Sequence, residues 1–181
     1  MSRIEPVDPQ TTTGATQAQL DQIREAFGGV PTMFRVVAHS PAALASMWGA
    51  FGALGQGTLG SAVGEQIAVA VADLNACEYC LAAHTALGRK AGVPREVMAA
   101  AQAGESDDPR TEALLRFALA VVEQRGHVTD ADVQAVRDQG FGDEQIVETI
   151  AHVALNLFTN YVNVALGVPV DFPTVPLRRA A

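Results

Sequence analysis

Lysine is almost missing from this chain, with Lys90 its single example. The arginines are scattered, and 12 basic residues face 20 acidic ones, a formal net charge of −8. Such a chain repels phosphate, so no nucleic-acid partner is expected. Cysteine is scarce too. Two in 181 residues exclude a small disulfide-framework domain. No apolar run reaches the ~20 residues of a spanning helix. The most apolar stretches, Pro41 to Leu54 and Ile67 to Leu74, are shorter and flanked by glycines or polar residues. Residues Met1 to Pro9 are polar and proline-broken, without the apolar centre of a signal peptide. The reading is a cytoplasmic protein with no membrane partner. Clean alternation of apolar and polar residues is also absent, which argues against half-buried strands.

What is present favours helix. Alanine is abundant, at thirty-two residues, and alanine carries the highest helix propensity. Start and stop signals predict helices over 16–27, 41–54, 61–74, 75–90, 94–103, 109–125, 130–138 and 143–166, with a short helical turn at 32–38. Thr16, Ser40, Ser61, Asn75, Thr129 and Asp143 are the expected caps. The fold class is all-α and single-domain, with a helical core over 15–167. Residues 1–14 and 168–181 are expected to be extended arms. Gly64 to Gly88 and Asp143 to Gly167 align without gaps, with seven identities in twenty-five. Two ordinary amphipathic segments or a duplicated helical unit would each give that echo.

The informative stretch runs from Glu65 to His84. Cys77 and Cys80 are three apart, and Cys80 and His84 four apart, so one helix face carries thiol, thiol and imidazole. The cysteine β-carbons would lie roughly 5–6 Å apart, somewhat beyond the ~3.5–4.5 Å of a relaxed disulfide. Modest adjustment at the helix start would close the gap. With Asn75 as N-cap, Glu78 falls at the third helical position and Cys77 in the first turn, where the helix dipole favours a thiolate. A straight helix over 65–84 would hold Glu65 roughly 28 Å from His84. A fold-back near Leu74-Asn75 would instead bring them level, giving a relay from Glu65 to His84 to Cys80.

The pattern Glu65, Cys77, Cys80, His84 resembles, without any shift in spacing, the motif of the alkyl hydroperoxidase D (AhpD)-like proteins of the carboxymuconolactone decarboxylase superfamily. The segment from Ala72 to His84, with the later 154–163 and Asp171-Phe172-Pro173, is similar to the peroxidase-related branch. The resemblance implies a homo-oligomeric, AhpD-like helical bundle and a thiol-dependent peroxidase. Cys80 would attack the peroxide, Cys77 would resolve the sulfenic acid as a disulfide, and Glu65 and His84 would move protons. The implied partners are a hydroperoxide and a dithiol reductant of lipoyl type. No cofactor is implied. The dipole favours Cys77 as the more acidic thiol and the relay favours Cys80; a paired base outweighs half a helix charge.

Rival readings use the same residues. Cys77, Cys80, His84 and Glu65 could hold zinc, though structural sites join two separated ligand pairs. The cysteines could be small core residues, or a redox-sensing pair in a non-catalytic oligomer subunit. Tyr79 either lines the pocket or simply packs. His152, Asn156, Asn160 and Asn163 form a polar stripe, with a solvated or interface-facing role as the default. Support for the cysteine site is the alternative, for His152, Asn156 and Asn160 above all. Asp73 is expected to be solvated, and helix 42–54 with Trp48 to be a subunit contact.

Overall fold

A computed structural model describes residues 2–178. Nine helices and no strand occur among them: α1 (Gly14–Phe27), α2 (Thr32–Val37), α3 (Pro41–Leu54), α4 (Gly60–Leu74), α5 (Glu78–Lys90), α6 (Arg95–Gln102), α7 (Pro109–Glu123), α8 (Asp130–Asp138) and α9 (Asp143–Leu166). The all-α expectation is met. The last three positions of the expected arm 168–181, and Met1 of the first, lie outside the described residues.

The centre of the fold is α4. Residues 66–73 are all buried, as a helix apolar on every side requires. It touches α5, α6, α7 and α9. Ile67, Val69 and Val71 are fully enclosed, and each such side chain contributes about 1.5–3 kcal/mol of burial. Phe34 of α2 anchors an aromatic group in the same core, with ring centres 5.7 Å from Phe27, 5.8 Å from Trp48 and 6.0 Å from Phe51. Trp48 thus spends part of its surface inside the chain. Among the described residues, no helix is long and apolar enough to cross a membrane.

Helix ends follow the cap chemistry in some places and not in others. The Ser40 hydroxyl accepts from the Ala43 N–H, and Thr129 and Asp132 form a capping box. Four expected caps move, the first being Ser61, which lies inside α4 while Leu59 precedes that helix without a side-chain cap. Thr13 precedes α1 in place of Thr16, and Gly142 precedes α9 with Asp143 just inside. The fourth, at Asn75, matters most. Asn75 closes α4, and Cys77 is the N-cap of α5. Between them Ala76 turns left-handed, at φ 51°. The Cys77 N–H donates to the Ala72 carbonyl at 2.9 Å and the Ala76 N–H to the Asp73 carbonyl at 3.1 Å, a Schellman closure. The chain therefore folds back where the relay geometry required.

The arm after α9 is extended but fastened. Asp73, expected in solvent, is buried at 2 % exposure. Its Oδ1 accepts from Gln102 Nε2 at 2.7 Å and from the Arg178 N–H at 2.8 Å. Burial without such donors would be costly.

Candidate functional site

The fold-back makes α4 and α5 neighbours, and Glu65 meets His84. Glu65 Oε2 lies 2.7 Å from His84 Nδ1. The His84 side chain is 10 % exposed and the Glu65 side chain 21 %. Cys77 and Cys80 are joined as a disulfide with Cα atoms 5.3 Å apart, inside the ordinary range for such a bond. Cys77 is not in the helix but caps it, and its Sγ accepts from the Cys80 N–H at 3.2 Å. Releasing that residue from helical geometry is the adjustment the spacing demanded. Cys80 and His84 follow one turn apart on α5.

Asn163 touches the sulfur from α9. Its Nδ2 donates at 3.2 Å to both Cys80 Sγ and Met33 Sδ, while its Oδ1 is buried with no partner among the described residues. The polar stripe of α9 therefore faces inward, contrary to the solvated default. Asn156, Asn160 and Asn163 are all buried. Asn160 Oδ1 accepts from Asn75 Nδ2 at 2.9 Å and so holds the α4–α5 turn. Asn156 donates to the His152 carbonyl of its own helix at 2.9 Å.

Tyr79 is walled in. Its hydroxyl donates to Asp171 Oδ2 at 2.7 Å, and its ring meets Phe172 edge-on at 5.8 Å. Asp171 also accepts from the Thr32 N–H at 2.6 Å and the Thr32 hydroxyl at 2.7 Å. Burial, then the bond and charge of Asp171, push the Tyr79 hydroxyl far above its usual range, so it stays a neutral donor.

Three hollows lie around the site, two of them lined by a cysteine. An aromatic pocket of about 30 Å³ is lined by Phe34, Phe51, Tyr79, Phe172, Cys80 and His84, among others. That is room for a water or two. A rear cavity of about 90 Å³ lies behind Glu65 and His84, with His152 and Asn156 in its wall. A side groove of about 200 Å³ is lined by Cys77, Glu78, Asn163, Val164, Val168 and Val170, among others. The His152 ring lies close against Gly64: a β-carbon there would stand 2.9 Å from its Cε1. Burial lowers the His152 pKa below 6.5; Glu148 and Glu65 oppose that shift and His84 adds to it. Burial raises the Glu148 carboxyl, but the Leu59 N–H, the Thr58 hydroxyl and N–H, and nearby His152 together hold it below its ordinary value.

All four motif residues are thus brought together, and Tyr79 lines their pocket. His152 and Asn156 stand behind the Glu65–His84 pair, and Asn160 supports the turn. Sequence reasoning left two residues out of the site. Asn163 belonged to the stripe, and its spacing of four from Thr159 and three from Asn160 gave no hint of a sulfur partner. Asp171 stands 92 positions from Tyr79.

Known proteins share this fold. Residues 40–107 match the carboxymuconolactone decarboxylase family. The crystal structure of an alkylhydroperoxidase AhpD core, an uncharacterized peroxidase-related protein from Ralstonia eutropha JMP134, superposes with a TM-score of 0.84 at 26 % identity, covering 94 % of this chain and 92 % of that one. A peroxidase-related protein from Silicibacter sp. TM1040 gives 0.78 at 24 %, covering 92 % and 87 %. The debrominase Bmp8, in a complex with 2,3,4-tribromopyrrole, gives 0.80 at 17 %, covering 93 % and 91 %. No curated protein matches the chain. A helical hairpin carrying Glu65, Cys77, Cys80 and His84 thus sits in an AhpD-like fold shared over nearly the whole length, with the segment 40–107 similar to the carboxymuconolactone decarboxylase family.

Proposed function

We propose that the chain is a thiol peroxidase, reducing hydroperoxides at Cys80 and re-reduced by a dithiol. The observation that carries this reading is the 2.7 Å contact between Glu65 and His84, one helical turn from Cys80 in an apolar pocket. By accepting from Nδ1, Glu65 leaves Nε2 as the nitrogen that exchanges protons. In the reduced protein His84 takes the Cys80 proton. The thiolate attacks the peroxide, the O–O bond breaks, and the leaving alkoxide takes a proton from His84. Cys80 becomes a sulfenic acid. The Cys77 thiol then condenses with it, releasing water and forming the disulfide. Asn163 donates to the Cys80 sulfur throughout, and Tyr79, His152, Asn156 and Asn160 shape the surroundings. A cycle needing thiol reductant suits the cytoplasm. Self-association is part of the proposal, supported by the exposed apolar side chains Val147, Ile150 and Tyr161 on one stripe of α9.

The aromatic lining favours a second reading, in which the soft electrophile is a halogen on a small ring. The Cys80 thiolate would take the halogen as a cation, a proton would replace it on the ring, and Cys77 would expel halide to form the same disulfide.

Incubation with tert-butyl hydroperoxide and dihydrolipoamide tests the first reading. Wild type consumes peroxide over many turnovers, and Cys80→Ser loses all of them. Cys77→Ser keeps a single sulfenylation. The reverse pattern in the two variants would exchange their roles. One turnover in wild type, with altered sedimentation, would make the pair a sensor. Bromide release from a bromopyrrole, without peroxide loss, would favour the second reading.

A further inference from the structure

The two cysteines of the disulfide, each buried at 1 % exposure, line different hollows. Cys80 lines the aromatic pocket and Cys77 does not; Cys77 lines the side groove and Cys80 does not. Tyr79 and Asn163 contribute to both and stand as the partition. The hollows also differ in size and character. The aromatic pocket holds about 30 Å³, enough for a peroxide head but not for a sulfur-bearing arm beside Cys80. The groove holds about 200 Å³. Its rim carries Val164, half exposed, and the exposed carboxylate of Glu78.

We infer that oxidation and reduction use opposite faces of the cysteine pair: the reducing dithiol enters by the side groove and attacks Cys77, not Cys80. The inference rests on the peroxidase reading for the identity of the oxidant alone. One thiolate of the reductant attacks Cys77 Sγ, and the Cys77–Cys80 bond breaks. A mixed disulfide forms on Cys77, and Cys80 leaves as a thiolate. Asn163 Nδ2 already donates to that sulfur, and such a bond favours the anion. His84, a turn along α5, supplies its proton. The reductant's second thiolate then attacks its own first sulfur and expels Cys77, which takes up a proton. Two electrons pass from the dithiol to the protein, and the dithiol leaves as a cyclic disulfide. The freed Cys80 faces the aromatic pocket, ready for the next peroxide. The valines suit a reductant with a hydrocarbon arm, and Glu78 disfavours an anionic thiol.

The test uses the full chain oxidised with diamide, so it needs no peroxide activity. A brief pulse of mercaptoethanol, acid quenching and capping of the freed thiol with N-ethylmaleimide mark the two sulfurs differently. Tandem mass spectrometry is expected to find mercaptoethanol on Cys77 and maleimide on Cys80; the opposite labelling overturns the inference. In a second arm, Val164→Trp covers the groove from the surface of α9. Reduction by dihydrolipoamide is expected to slow by about tenfold, with the reaction of reduced protein with tert-butyl hydroperoxide unchanged. Equal slowing of both, or of neither, also counts against it. If that variant does not fold, the wild-type labelling decides. Failure of the peroxidase reading would show separately, as reduced wild type that leaves hydroperoxide untouched while the labelling still reports a face.

Discussion

Residues 64–88 and 143–167 share seven of twenty-five positions, yet they fold differently. The first is a hairpin of two helices, α4 and α5; the second is one unbroken helix, α9. The echo in sequence is not an echo in helix content. The difference sits at the middle. Asn75, Ala76 and Cys77 stand opposite Ala154, Leu155 and Asn156. Asn is a weak helix former, and Cys77 can cap the next helix with its own sulfur. Ala154 and Leu155 favour continuation. The bend gives Glu65 a histidine to meet, whereas its counterpart Glu144 stays exposed in the first turn of α9. The position matching His84 is Asn163, which reaches the Cys80 sulfur from the straight helix. One segment thus supplies the reactive groups, and its echo supplies an amide to them.

The largest expected effect separates the two glutamates. Glu65→Gln should lower kcat/KM for hydroperoxide by about a hundredfold, the lower end of general acid–base contributions. Glu144→Gln should leave it unchanged, and steady-state peroxide consumption reads both. Equal effects would dissolve the contrast between hairpin and helix.

The next effect concerns how α9 is attached. Buried Glu148 accepts from the Thr58 N–H at 2.9 Å, the Thr58 hydroxyl at 2.8 Å and the Leu59 N–H at 3.1 Å. Glu148→Gln should cost about 2 kcal/mol in urea unfolding, since bonds to a charged acceptor are lost. The carboxyl is held below its ordinary value of 4.5 when folded. The unfolded chain therefore binds more protons in acid. This part of the stability is full above pH 4.5 and is lost as pH falls through the folded value. His152, lowered from 6.5, acts earlier. Its neutral form is the folded one, so stability is lost as pH falls below 6.5. Urea midpoints measured across pH should decline in two stages, and His152→Gln should remove the upper one.

The smallest effect lies at the bend itself. Ala76 at φ 51° bears a left-handed cost of about 1 kcal/mol. Ala76→Gly should raise unfolding free energy by about that amount, less the entropy glycine adds to the unfolded chain. A destabilised variant would mean that the turn is held by something other than its backbone closure.

Much of the architecture was legible because helices announce themselves locally. Ser40-Pro41, Thr129 and Gly167 marked real ends, and the spacing of Glu65 and His84 allowed a fold-back near Asn75 that the structure contains. The exact cap at Cys77 was not, because a left-handed alanine carries none of the signal a glycine would. The inward face of the α9 stripe was hidden for another reason. Periodicity shows that Asn156, Asn160 and Asn163 share a face, but only packing decides whether that face meets water or sulfur. Asp73 and Asp171 were hidden as well, since their partners lie 105 and 139 positions away in sequence.

The fastening of the last described residues has a practical consequence. Asp171 joins Thr32 to Tyr79, and Phe172 lies on the Tyr79 ring one residue from Cys80. A fusion partner or affinity handle added at the carboxyl end would pull on that latch, and the sulfur chemistry would register the strain before the melting temperature did.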